Sequence, residues 1–600
     1  MRMAMRQRAW FLVLLAVAPA WSAEPTAIQD GGYRFDGKLC QATVAPRGRL
    51  AELQVGGQAN SLVYRTDKGV LFQVTAEGLS LIQVGGRDLA CGGWTVFNAE
   101  PWFKDSGTGR VDTKSWREKS IAVVGQRQAR VRHVKGDIIC LTDYTFAGED
   151  LLISARVENE HAEEPLNVAG FSGLEFTFDQ PPTGLMMVQH ISYFQAHGVG
   201  LCHPGHWSRI GGSYAVDGSI GVGLSPWKTG WNRTLLLWDY ADWNPDKREN
   251  IPQRRLMYFV VAQVPARGAR TFEMKMRVSP DRDWKHLLEP YREHFQATFG
   301  PVRYKADSRW IATDYLNHSQ QAVSPSNPYG FHGGARRFDR PEGVQEFCDQ
   351  LIPVLKRANG QGVIVWGQGG DDSRGAMYRP DFDVLPPEVE ANWKALAQRF
   401  REAGLKIGVT TRPADMAVRL DWKSDQVISI NAGDPGHQAM LVRRFQNMVE
   451  KGCSLFYLDS FGNDLEHVKL MRLLREKLGP DVLTFAEHQC DAILPYSGGY
   501  SETTFHAAKP GQEPGYRIWS GLDNWEIYRW LVPGAQLAAR LYQIEGQIPE
   551  GFQTADEFFY RNRVTPLLPV SDIQRAGSLE GTQLRYLDGL GNWKSTPDSP

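Results

Sequence analysis

After Pro301 the chain changes rhythm: short apolar runs that read as buried strands alternate with amphipathic stretches that read as helices, and this alternation leaves few folds open. The strand candidates are Trp310–Ala312, Gly362–Trp366, Leu405–Thr410, Ser454–Leu458 and Val482–Ala486, followed by Ile493–Tyr496, Tyr516–Ser520 and Thr565–Pro569. Between several of them, Val344–Ala358, Pro387–Ala403, Gly436–Lys451 and Leu465–Leu478 carry apolar residues at helical spacing. Alternating strands and helices imply a parallel sheet. About eight strands over roughly 270 residues match a (β/α)8 TIM barrel better than an open doubly wound sheet, and no GxGxxG loop marks a dinucleotide site.

The region before this is different. From about Tyr33 to Val278, alternating runs such as Ala51–Val55, Gly69–Thr75, Ile121–Val124, Leu151–Glu158, Leu174–Phe178 and Thr234–Tyr240 are punctuated by Gly, Pro and Asp. Glycine pairs such as Gly56-Gly57 and Gly85-Gly86 suit hairpin turns. An antiparallel β-sandwich over residues 31–280 is expected. Trp284, Leu287, Leu288, Tyr291 and Phe295 then share one helical stripe, so 281–300 reads as a linker helix stopped by Gly300-Pro301. The barrel takes 301–570, and 571–600 is a short polar tail.

Composition narrows the function. The 67 Lys and Arg nearly cancel the 68 Asp and Glu, without long runs of either sign, which argues against a nucleic-acid or anionic-membrane surface. Arg2, Arg6 and Arg8 precede the apolar run Ala9–Ala18 and small residues near Ala20–Ala23, so 1–23 reads as a cleavable signal peptide and the mature chain as secreted or periplasmic, with no membrane span. Seven scattered cysteines form no CxxC pair, and neither a metal nor a cofactor is called for. Cys453 and Cys490 flank neighbouring strand candidates, where a cysteine most simply serves as a small buried hydrophobe.

Chemistry gathers where the barrel reading places strand ends, the face on which barrel enzymes carry their active sites. The stretch GCSLFYLDSFGND presents Asp459 directly after a buried strand. Turn formation alone explains a lone aspartate there. Yet Trp366, Asp371 and Asp372 follow strand two, Arg412 and Asp415 follow strand three, and Glu487 and His488 follow strand five. Asp459 and Glu487, at the ends of adjacent strands, are the two carboxylates that glycoside hydrolysis requires. Asp459 is assigned as nucleophile and Glu487 as general acid/base, with the opposite assignment open; Asp491, Glu502 and Asp523 are alternative acids. Asp371, Asp372, Asp415 and His488 would contact substrate, Arg412 would hold a hydroxyl or carboxylate, and Trp366 would either stack on a sugar or pack in the barrel core. A buried Glu487–Arg412 ion pair is the competing structural explanation. The aromatic clusters His203–Trp207, Trp227–Trp231 and Trp238–Trp243 suit sugar stacking and a sandwich core equally.

These residues also carry a resemblance. Tyr378-Arg379-Pro380-Asp381-Phe382, the passage Ala403–Gly408 and Tyr457-Leu458-Asp459 resemble the melibiase-type α-galactosidases and related retaining α-glycosidases, and the stretch is similar to secreted bacterial proteins with a DSxG…EH pattern. The resemblance implies a β-sandwich plus barrel and a nucleophile at Asp459. It departs at Tyr457, where the melibiase pattern has Lys, and after strand six, where its acidic Asp is replaced by Ser497–Glu502. Glu487 is closer to the α-amylase arrangement. The leading expectation is an exported, probable α-glycosidase-type hydrolase of an oligo- or polysaccharide. The other readings are a non-catalytic carbohydrate-binding or polysaccharide-assembly protein, and a metal-dependent hydrolase built on Asp371, Asp372 and nearby histidines.

Overall fold

Eight strands close into a parallel barrel in the computed structural model. They are β1 (Ile311–Tyr315), β2 (Gly362–Trp366), β3 (Lys406–Thr411), β4 (Leu455–Leu458), β5 (Leu483–Ala486), β6 (Gly498–His506), β7 (Leu537–Leu541) and β8 (Val564–Pro569). Each pairs in parallel with its neighbours, and β8 returns to β1 to complete the ring. The structure describes residues 34–35, 38–39, 41–44, 50–55, 58–92, 96–98, 110–125, 127–168, 175–177, 184–185, 213–217, 220–226, 233–237, 255–259, 262–281, 283–315, 325, 340–357, 359–368, 385, 387–419, 426–462, 465–487, 490–506, 515–518, 525–541 and 564–569.

Two compact units divide the chain within the helix Trp284–Phe299, at Leu287 and Leu288. The first holds the described residues up to Thr183 with Val216–Gly223 and Arg254–Leu287. In it, Leu50–Val55, Gln58–Arg65, Leu71–Thr75, Gly78–Val84 and Arg87–Gly92 form an antiparallel meander. A second antiparallel sheet runs through Glu118–Gly125, Gln128–Lys135, Ile138–Ala147, Asp150–Asn159 and Gly268–Ser279. Burial alternates along Gln128–Lys135 and Ile138–Ala147, as a sheet with one dry face requires. The dry faces meet: the Tyr64 ring stacks on Phe146 at 4.4 Å and Phe72 approaches the same ring at 5.4 Å.

The barrel helices Pro341–Arg357, Pro387–Glu402 and Pro435–Glu450 each begin with proline, whose missing N–H is one the first turn leaves unbonded in any case. Asp434 caps the third of these, accepting from the N–H groups of Gly436 and His437 at 2.7 and 3.1 Å. Inside the barrel, Ile364, Trp366, Leu455, Tyr457, Phe485 and Tyr500 belong to one buried cluster. Two glycines let these strands approach. A Cβ on Gly408 would sit 1.8 Å from the Leu455 carbonyl oxygen, and one on Gly498 would press 3.0 Å from the Phe485 ring.

Strands one to five and eight lie where the sequence places them, to within a few residues. Strands six and seven do not. Ile493–Tyr496 is a buried turn following the short 3₁₀ helix Asp491–Ile493, and the sixth strand is Gly498–His506. A four-residue apolar run has no periodicity to separate strand from buried turn, and Pro495 removes a ladder donor. Tyr516–Ser520 gives the strand Gly515–Ile518, but it adds antiparallel to the outer part of β6, and the seventh barrel strand is Leu537–Leu541. The signal segment 1–23, the tail 571–600 and the clusters 203–207, 227–231 and 238–243 lie outside the described residues. Among the described residues, no helix is long and apolar enough to cross a membrane.

One buried cation ties the β5 region together. Arg475 donates from Nε to the Tyr496 carbonyl at 2.8 Å, from one terminal nitrogen to the carbonyls of Gly479 and Val482 at 2.7 and 2.6 Å, and from the other to Thr484 Oγ1 at 3.1 Å. Burial lowers its pKa to about 10, which still leaves it charged at neutral pH. Arg475→Met orphans three carbonyls and is expected to destabilise the protein by about 3 kcal/mol or more, measured by chemical denaturation, through lost hydrogen bonds rather than lost volume.

Candidate active site

The register of the barrel brings the site together. Thr410 pairs with Tyr457 across β3 and β4, and Tyr457 pairs with Phe485 across β4 and β5. All three strands continue in step for one more residue, because the Asp459 N–H donates to the Thr411 carbonyl at 2.7 Å and the Glu487 N–H to the Leu458 carbonyl at 3.0 Å. Two residues beyond Thr410, Tyr457 and Phe485 come Arg412, Asp459 and Glu487. Side chains alternate along a strand, so these three share the inward face, one level above the aromatic core. Beneath them the Trp366 and Tyr457 rings meet at 5.1 Å, and Tyr457 meets Tyr500 edge-on at 4.8 Å.

Asp459 is 6% exposed. The Arg412 Nε donates to its Oδ2, which also accepts from the Ser460 hydroxyl at 3.3 Å. Its carboxyl lies within hydrogen-bonding reach of Glu487. Burial, and after it the negative charge of Glu487, push the Asp459 pKa up to about 7, against the opposing pull of Arg412. Asp459 therefore keeps its proton well above the ordinary aspartate range. An ion pair at this site joins Arg412 to Asp459.

Glu487 is anchored separately. Its Oε2 accepts the backbone N–H of Ser460 at 2.6 Å, an interaction made possible by an unusual backbone: Ser460 has φ 51. Among the described residues the other non-glycine positive φ values are at Arg267 and Asn359. Arg267 lies in a turn between strands and Asn359 just beyond a helix end, where such angles are common. Ser460 lies in the turn that ends β4, and a left-handed non-glycine residue there costs about 1–2 kcal/mol. The loop is held further on, where the Gly462 carbonyl accepts from the Cys490 N–H at 2.6 Å and the Gly462 N–H donates to His467 Nδ1 at 3.1 Å.

Of the other residues singled out by sequence, Trp366 is 3% exposed and packed in the aromatic layer, which is the core-packing alternative. Asp415 opens the strand Asp415–Arg419, paired with Gln426–Ser429. Asp371, Asp372, His488 and Asp523 lie outside the described residues. Glu502 lies in β6 opposite Arg540 of β7. Asp491 is fully buried, bonded to the Tyr291 hydroxyl and to the Ala492 N–H at 2.7 Å, the setting of a structural residue. Cys453 and Cys490 are both buried, and among the described residues no cluster of three metal-ligating side chains occurs. Sequence reasoning passed over two residues. They are Ser460 and Gln368; the latter, two residues past β2, donates from Nε2 to the Thr410 carbonyl at 2.6 Å, and among the described residues its buried Oε1 has no hydrogen-bond donor.

The raised pKa of Asp459 carries a sign for stability. The folded protein prefers the protonated form, so the contribution is complete below the ordinary aspartate value of about 3.9 and is lost as pH rises through about 7. Asp459→Asn cannot ionise and escapes that loss. It is expected to melt above the wild type at pH 8, by an advantage on the order of 1–3 kcal/mol that shrinks toward pH 5, in paired thermal melts.

No protein-family model matches the chain, and no curated protein does. Among solved structures, α-N-acetylgalactosaminidase NagBb from Bifidobacterium bifidum in complex with GalNAc is similar at TM-score 0.52 and 12% identity, over 85% of this chain and 87% of that one. Its ligand-free form gives 0.53 and 11% identity, over 89% and 92%. GH36 α-galactosidase AgaA from Geobacillus stearothermophilus, in complex with 1-deoxygalactonojirimycin, gives 0.43 and 10% identity, over 91% and 84%. The chain shares with NagBb a fold of antiparallel β-sheets followed by a parallel eight-stranded barrel.

Proposed function

We propose that this chain is an exported glycoside hydrolase that cleaves an oligo- or polysaccharide with Asp459 and Glu487. The observation that carries the reading is the contact of these two carboxyls at the ends of adjacent barrel strands, with the Arg412 guanidinium on one of them. Glycosidic cleavage needs one ionised carboxylate and one protonated carboxyl at neutral pH, and the raised Asp459 pKa of about 7 keeps a proton available in the site near neutral pH. Arg412, donating to Asp459 Oδ2, supports the carboxylate form that a nucleophile needs once substrate is bound, and Glu487 is the neighbouring carboxyl that would carry the acid step.

Asp459 would then attack the anomeric carbon as the glycosidic C–O bond breaks, and Glu487 would give its proton to the departing oxygen. In the second half, Glu487 would take a proton from water as that water displaces Asp459. Carboxyls in contact lie closer than the roughly 5–5.5 Å of retaining enzymes and much closer than the about 6.5–9.5 Å of inverting ones. A sugar entering between them would have to part them, and the shorter, retaining separation is the nearer of the two. Gln368 would accept from a sugar hydroxyl through Oε1. The shared fold and the GalNAc complex of NagBb make α-galactosides and α-N-acetylgalactosaminides the first substrates to try.

The reading of a carbohydrate-binding protein without chemistry has one observation in its favour: Asp459 Oδ2 is engaged by both Arg412 and Ser460. Turnover decides between them. The purified mature protein is expected to release reducing ends from an α-glycan panel, followed by mass spectrometry. Glu487→Gln should lose roughly 10²–10⁴-fold in kcat and regain rate with azide and an activated leaving group, while Asp459→Asn should be inactive on every substrate. Binding to the panel without turnover would establish the other reading.

A further inference from the structure

The geometry points to Ser460 as a positioning residue: its left-handed backbone aims its N–H at Glu487, and this backbone contact holds Glu487 facing Asp459, whose Oδ2 also accepts from the Ser460 hydroxyl. This deepens the glycosidase reading, but its test requires no turnover and so stands apart from it.

A serine in the extended conformation usual after a strand would send its N–H elsewhere. At φ 51 that N–H meets Glu487 Oε2 at 2.6 Å, a short charge-assisted bond. The turn is fixed from both sides. Asp459 before it is bonded to Thr411 of β3, and Gly462 after it is bonded to Cys490 beyond β5. Ser460 therefore sits between the two strand ends whose carboxyls must meet, in a conformation that nothing in a helix end or hairpin explains. Strain of this kind persists where the surrounding structure imposes it, and functional sites are where it collects. The charged groups bearing on Asp459 are Arg412 from β3 and Glu487 from β5. If the Ser460 turn relaxes, Glu487 loses its anchor, and the repulsion that it exerts on Asp459 falls.

The readout is the pH-dependent melting advantage of Asp459→Asn, measured in the wild-type background and in Ser460 variants of the full mature chain. Ser460→Gly keeps the N–H and tolerates positive φ, so the advantage at pH 8 over pH 5 is expected to persist. Ser460→Val, β-branched and disfavoured at positive φ, is expected to reduce it by at least half. Ser460→Thr is a milder β-branched change that keeps the hydroxyl and reads in the same direction should the valine variant not fold. A β-branched variant that folds and retains the full pH-dependent advantage would overturn the proposal. So would a glycine variant that loses the advantage as completely as the β-branched ones, because the hydroxyl and not the backbone would then be the agent.

Discussion

A buried carboxyl, Asp459, held against the half-buried Glu487 with one guanidinium to balance them, is what the rest of the barrel is arranged around. Such a contact is unfavourable when both groups are ionised, and burial makes it more so. It persists because the scaffold supplies what isolated side chains lack. Parallel pairing carries β3, β4 and β5 in step past their last ladder residues, and the aromatic layer of Trp366, Tyr457 and Tyr500 closes the space below. Arg475 fixes β5 and the turn before β6 from behind, through carbonyls that would otherwise be buried without donors.

The cation is the informative detail. Two residues before Asp459, where the melibiase pattern has lysine, Tyr457 is 3% exposed and belongs to the aromatic layer. The positive charge comes instead from Arg412, one strand away. The register allows this, since positions two beyond Thr410 and two beyond Tyr457 face the same way.

Much of this was legible in the residues. Uninterrupted apolar runs such as Gly362–Trp366 and Leu455–Leu458 mark strands buried on both faces, and a polar residue directly after each marks the strand end. That was enough to bring Arg412, Asp459 and Glu487 to one face. Strand six was lost because it opens on Gly498-Gly499, which reads as a turn, although Gly498 is there because the Phe485 ring leaves no room for a side chain. Ser460 was lost for a different reason: a left-handed serine has no sequence signature, because its φ is imposed by bonds to β3 and to the residues after β5. Gln368 owes its place to a bond with a backbone carbonyl of the next strand, which residue identity does not announce.

The central claim is that Asp459 is the nucleophile of a carboxylate pair. It is tested most directly by incubating the mature protein with a panel of fluorinated α-glycosyl fluorides, which form long-lived glycosyl-enzymes, and mapping the modified peptide by mass spectrometry. The account predicts a single glycosyl adduct on Asp459, absent from Asp459→Asn. An adduct on Glu487 or any other carboxylate, or undiminished glycoside turnover by Asp459→Asn, would contradict it.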